Sequence, residues 1–155
     1  MSDCLTLVQH MELDVSNYAR GRRRLWLNHE IDLRTGQISL GYQHKTIWKF
    51  CQKVYPGCDV GLISFGGSVN GIDSTGKIRW HRDHSYAMPK AITINLGDAA
   101  FGYGEPERKL YRLRNAQVVE FNCKVEHSLI EIRSDIRFGI NLWRFNRAKG
   151  FEPIV

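Results

Sequence analysis

From Asp59 onward the chain is a succession of short apolar or alternating runs separated by turn formers, a pattern that no helical fold accommodates. The runs are Val60 to Phe65, Lys77 to His81, Ala91 to Leu96, Leu110 to Leu113, Gln117 to Phe121, Ser128 to Ile132 and Arg137 to Phe145. Their number and spacing predict a mostly β domain, a sandwich or jelly-roll barrel. Upstream, Leu25 to Leu33 and Gln37 to Tyr42 flank Arg34-Thr35-Gly36 and read as a hairpin. Ile47, Phe50, Cys51 and Val54 share one face of the only convincing helix, which Pro56-Gly57 stops. The stretch Gly66 to Gly76 is glycine-rich, lacks the lysine of a phosphate loop and precedes no helix, so it reads as a mobile loop beside a site.

With 155 residues, 43% of them apolar, the chain has the size of one domain with a real core. Residues 1–58 form its N-terminal hairpin and helix, and residues 59–146 its barrel core. Lys and Arg number 22 against 16 Asp and Glu, a net charge of +6 that favours an anionic partner, nucleic acid or a small carboxylate. Cys4, Cys51, Cys58 and Cys123 contain no CxxC pair, which argues against a zinc knuckle and for buried thiols in a reducing compartment. No apolar run approaches the roughly 20 residues of a spanning helix and no signal peptide opens the chain. The expectation is a cytoplasmic, soluble monomer without membrane attachment.

Chemistry enters with His81-Arg82-Asp83 at the end of a predicted strand, where alternation turns positions 81 and 83 the same way. Two histidines and a carboxylate make the facial triad of non-haem iron(II) oxygenases, which leaves coordination positions open. His127, near the start of a later strand, is the candidate third ligand. An HxD triplet alone arises often by chance. Added weight comes from Arg137, Gly139, Asn141 and Trp143, which alternation puts on one strand face. An inward arginine needs an anion, and its planar fork grips a carboxylate through two hydrogen bonds; Gly139 leaves room beside it and Asn141 can donate another. The competing reading pairs Arg137 with Asp135 or Glu131 at the surface.

Taken in order, Trp80-His81-Arg82-Asp83, the strand Ala91 to Gly97, Tyr111-Arg112-Leu113, Gln117 to Phe121, His127 and Arg137 to Trp143, the chain resembles the 2-oxoglutarate- and iron(II)-dependent oxygenases, and within them the AlkB-like branch. The resemblance covers Asp59 to Phe145. It implies a double-stranded β-helix of the cupin-like, jelly-roll kind, with iron(II) held by His81, Asp83 and His127. It also implies 2-oxoglutarate anchored by Arg137, with Asn141 a further contact, and O2 as oxidant. The outcome would be hydroxylation, or demethylation where the carbon sits on nitrogen. Leu62 and Ser64 stand where AlkB-like proteins carry asparagine and tyrosine, so the rest of the co-substrate pocket must be built differently, with Ser64 a further expected contact, and Arg144 departs from their spacing. The stretch from Arg137 is equally similar to prolyl-hydroxylase-like members.

For substrate, Arg20-Gly21-Arg22-Arg23-Arg24 followed by Leu25-Trp26 suits phosphate contacts with an aromatic for base stacking. Arg22, Arg23, Arg24 and Trp26 are thus the expected substrate contacts, joined by Tyr42 at the end of the hairpin that would cover a flipped base, and by Arg79 on the His81 face. The expected partner is single-stranded or locally opened nucleic acid. Competing readings are a small-molecule or peptide hydroxylase, a cupin-like metalloenzyme in which Arg137 is structural, and a catalytically silent nucleic-acid-binding barrel.

Overall fold

The computed structural model describes residues 1–154. Its helices and strands follow as α1 (Ser2–Leu7), β1 (Glu12–Leu13), β2 (Arg23–Leu27), β3 (His29–Ile31), β4 (Ile38–Leu40), α2 (Lys45–Val54), β5 (Val60–Val69), β6 (Ile72–Thr75), β7 (Ile78–His81), β8 (Ala87–Leu96), β9 (Ala99–Tyr103), β10 (Lys109–Leu113), β11 (Gln117–Asn122), β12 (His127–Ile132) and β13 (Arg137–Phe145). The large sheet runs β1-β2-β5-β13-β8-β11, with β6 added to β5, and the small one runs β10-β9-β12-β7. Every ladder in the two sheets is antiparallel. The two face each other as a mostly β jelly-roll, the class expected from the run pattern.

Alternation along the central strands explains how the large sheet serves two purposes at once. Ile63 and Phe65 of β5, Ile92 and Ile94 of β8, and Phe138, Ile140 and Leu142 of β13 form one apolar cluster with Leu7 and Val8 near α1 and with Ile47 and Cys51 of α2. The residues between them, Leu62 and Ser64, Thr93, and Arg137, Gly139, Asn141 and Trp143, line the cavity between the sheets. A second apolar cluster, with Trp26, Leu62 and Trp143 from one sheet and Phe101, Leu113 and Leu129 from the other, closes that space. All four cysteines are free and buried, and burial first of all pushes the Cys51, Cys58 and Cys123 thiols up to about 12, so they are inert.

Phe138 is fully buried at the middle of the first cluster. Phe138→Ala should therefore cost about 3–5 kcal/mol in urea unfolding, whereas Leu110→Ala on the exposed edge strand β10 should change stability by less than about 0.5 kcal/mol.

Several elements depart from the sequence expectation. The extended run from Leu25 breaks at Asn28, whose φ of 68° asparagine adopts more readily than most residues and whose Nδ2 is held by the distant Asp59 carbonyl at 2.9 Å. As a result β2 leaves the expected hairpin and pairs with β5, and only β3 and β4 form it. The glycine-rich stretch is ordered: β5 continues through Gly66 to Val69 and turns back as β6 around Asn70-Gly71, both at positive φ, the signature of a tight hairpin turn. Strand β9 and helix α1 were not expected at all. Among the described residues no helix is long and apolar enough to cross a membrane.

Candidate metal centre and its cavity

The small sheet brings the two histidines together. His81 ends β7, His127 begins β12, and the two stand opposite each other in register with ring centroids 4.3 Å apart. Asp83 lies just past the end of β7, tied by its backbone N–H to the Cys123 carbonyl at 2.9 Å. Its Oδ1 is 3.3 Å from His81 Nε2 and 3.2 Å from His127 Nε2. One ligand atom from each of the three side chains lies within 4.8 Å of the others.

Both imidazoles are oriented by their own strands. His81 Nδ1 donates to the Arg79 carbonyl at 2.7 Å and His127 Nδ1 to the Val125 carbonyl at 2.8 Å. Each Nε2 is therefore turned to the centre of the triad, where it faces Asp83 and, once its proton is lost, offers a lone pair to a metal. Trp143 Nε1 donates to Asp83 Oδ2 at 3.0 Å and fixes the carboxylate from behind. Burial alone would push the Asp83 carboxyl up, but hydrogen bonds and charge from His127 and His81 outweigh it and hold the group well below the usual carboxylate range. Burial opposes charge on His127, and the Asp83 contact overcomes it, so the imidazole sits above its ordinary value. Converging, oriented donors with the carboxylate kept anionic fit a divalent cation with open positions.

On the opposite wall, Arg137 is buried without any carboxylate partner among the described residues. Its Nε donates to Asn95 Oδ1 at 2.7 Å, and Asn95 spends its amide on the Gly97 and Arg114 carbonyls, both at 2.8 Å. Burial, with repulsion from Arg22, pulls the guanidinium down to about 9. The surface pairing with Asp135 or Glu131 is thus not the arrangement adopted. The guanidinium lies against Gly139, where a Cβ would meet its three terminal atoms at 2.6–2.7 Å. Gly139→Ala should accordingly force the Arg137 guanidinium from its seat and cost about 1–3 kcal/mol of stability in urea unfolding.

Ser64 and Asn141 line the same cavity of about 320 Å³. The arginine cluster divides differently from the exposed strip the sequence suggested. Arg22 and Trp26 are buried in the cavity wall, Arg24 lines it half-buried, and Arg23 points away and donates to the Asp73 carbonyl at 2.9 Å. The cause is strand alternation in β2 combined with Asp14, which accepts from Arg22 and forms an ion pair with Arg24. Tyr42 stands outside the cavity, its ring 4.9 Å from that of His10. Arg79 is exposed on a shallow neighbouring groove, and only its carbonyl touches the centre. Sequence reasoning left out Asn95, Trp143 as a carboxylate anchor, Asp14 and Tyr86. Asn95 was the most findable, as a polar residue inside an apolar run.

No family model and no curated protein matches the sequence. Solved structures do. An oxidoreductase of the 2OG-Fe(II) oxygenase family from Burkholderia pseudomallei superposes with a TM-score of 0.56 at 13% identity, covering 92% of this chain and 77% of that one. A Pseudomonas putida prolyl-4-hydroxylase superposes at 0.57 with 11% identity, covering 94% and 83%. Hydroxypropylphosphonic acid epoxidase from S. wedmorenis matches at 0.39 and 15% identity over 57% of this chain, which spans only 44% of the epoxidase. What the first two share with the chain is the fold, laid along nearly its whole length.

Proposed function

We propose that the chain is a non-haem iron(II) oxygenase with 2-oxoglutarate as co-substrate. The observation that carries this reading is Arg137, a buried cation without an acidic partner among the described residues, on the wall of the cavity that also holds the His81, Asp83 and His127 triad. A buried guanidinium is costly unless an anion joins it, and a dicarboxylate with one end at Arg137 and the other toward the triad supplies that anion. Iron(II) and 2-oxoglutarate, when bound with O2, supply oxidation of a substrate C–H bond coupled to release of succinate and CO2. The protein's own contribution is placement. His81 and His127 present Nε2, Trp143 holds Asp83, Asn95 aims Arg137, and the facing aromatics Trp26, Tyr86 and Phe101 keep water out.

Succinate formation that requires both iron(II) and Arg137 tests the reading. Metal binding without any affinity for 2-oxoglutarate would overturn it in favour of a cupin-like metalloenzyme.

A second reading, oxidation of a nucleic-acid base as in the AlkB-like branch, is supported by one observation. The shallow groove beside the cavity carries Arg20, Lys77 and Arg79, and among the described residues none of the three is in an ion pair. Tyr18, Ile78 and Leu129 belong to both depressions, so a strand laid on the groove arrives at the cavity mouth. Neutralising the three cations should reduce the log–log salt dependence of single-strand binding by about 2 units, since each phosphate contact contributes about 0.7. An unchanged slope in fluorescence anisotropy removes the groove from the reading.

A further inference from the structure

The cavity carries a second anion seat besides Arg137. Asp14 Oδ2 accepts from Arg22 at 2.6 Å through Nη2 and 3.2 Å through Nε, and it also lies 3.2 Å from Arg24 Nε. One carboxylate therefore serves two cations. Arg22 spends Nε and Nη2 on this pairing, whereas Arg24 reaches Asp14 with Nε alone and neither of its terminal nitrogens has a partner among the described residues. The Arg24 guanidinium lies over the Trp26 ring at 5.6 Å, Trp26 is 6.2 Å from Trp143, and Trp143 donates to Asp83. The free fork of Arg24 thus stands at the outer end of an aromatic wall whose inner end is a metal ligand.

Charge points the same way. The inner cavity holds Arg22, Arg24 and Arg137 against Asp14 and Asp83, while Arg82 with Glu105 and Arg108 with Glu126 cancel in pairs at the rim. A divalent metal and a dicarboxylate cancel each other, so the loaded cavity keeps one positive charge in excess. Partly buried and uncompensated, that charge favours a further anion over water.

We propose that Arg24 is the receptor for an oxyanion, carboxylate or phosphate, carried by the primary substrate, whose carbon skeleton lies along Trp26 and Tyr86 toward the metal centre. The proposal rests on the oxygenase reading and adds the class of substrate: an acid whose charged group is separated from the oxidised carbon by the length of that wall. Tyr86 is buried and packs edge-on to both Trp26 and Trp143, with ring centroids 6.4 and 5.8 Å away, and completes the wall.

The test uses inorganic phosphate as probe, with manganese(II) in the metal site so that a phosphorus nucleus held in the cavity is broadened. Protein loaded with manganese(II) and saturating 2-oxoglutarate should broaden the phosphate signal saturably. Arg24→Gln should weaken this binding by at least about tenfold and Arg24→Lys by less, with 2-oxoglutarate affinity unchanged in both. Because Arg22 keeps its two bonds to Asp14, these variants retain the strand pairing that holds the wall. Acetate and adenosine 5′-monophosphate as competitors tell a carboxylate from a nucleotide phosphate, and displacement by either supports the seat. The proposal is overturned if broadening is absent, if it survives Arg24→Gln, or if phosphate competes with 2-oxoglutarate and so reports Arg137. A metal-loaded protein that fails to take up 2-oxoglutarate in the same samples sinks the oxygenase reading as well, while uptake of 2-oxoglutarate without phosphate sinks this proposal alone.

Discussion

Asp83→Ala should weaken iron(II) binding by at least about 100-fold under anaerobic calorimetry. Loss of an outer partner of a metal ligand typically costs 10- to 100-fold, and a ligand that is itself the only charge of the triad costs no less. The surroundings of Asp83 leave no neighbour free to take over. Asp83 Oδ1 is the point on which both Nε2 atoms converge, and Oδ2 is occupied by the Trp143 N–H. Of the other acids around the cavity, Asp14 is engaged with Arg22, Glu105 with Arg82 and Glu126 with Arg108. Asp83→Ala also leaves the buried Trp143 donor unpaired, so a modest loss of stability, about 1–3 kcal/mol, should accompany the loss of metal. Unchanged iron affinity in the variant would mean that the triad is not the metal site.

Arg137 gives the second large effect, and only one of its two readouts should move. Arg137→Ala should reduce 2-oxoglutarate affinity by about 2 to 4 kcal/mol, roughly 30- to 1000-fold, with lysine restoring only part of it. The apo protein, in contrast, should not suffer from the volume-matched Arg137→Met. That change removes a buried, uncompensated charge and leaves the buried Asn95 Oδ1 without its donor, a cost of about 1–3 kcal/mol that relief of the charge offsets. An arginine that served the fold would lose stability and leave the co-substrate affinity untouched. Thermal melts and calorimetry on the same two variants separate the cases.

Much of the site was legible because strand alternation is a local rule. Arg137, Gly139, Asn141 and Trp143 needed only a period of two to be placed on one face, and the cavity lining has all four. His81 and His127 required the fold to return on itself, which the number of runs made reasonable and the register of β7 with β12 accomplishes. What stayed hidden depends on pairing over distance. Nothing near Arg22 and Arg24 announces that Asp14 will draw them inward, so a cavity wall read as a surface patch. The ordered hairpin at Asn70-Gly71 was a different failure, because that dipeptide is itself a turn signal and the surrounding glycines masked it. Strand β9 is short and rich in small residues, and only pairing with β10 and β12 defines it.

The hydrogen bond from the Trp143 indole to Asp83 makes the protein its own optical gauge. The indole is buried and bonded directly to the carboxylate that would face the cation, so any redistribution of electron density on that carboxylate is felt by the chromophore at 3.0 Å. Trp26, Trp48 and Trp80 make no such bond, so the part of an emission change that Trp143→Phe abolishes reports occupancy without an added label.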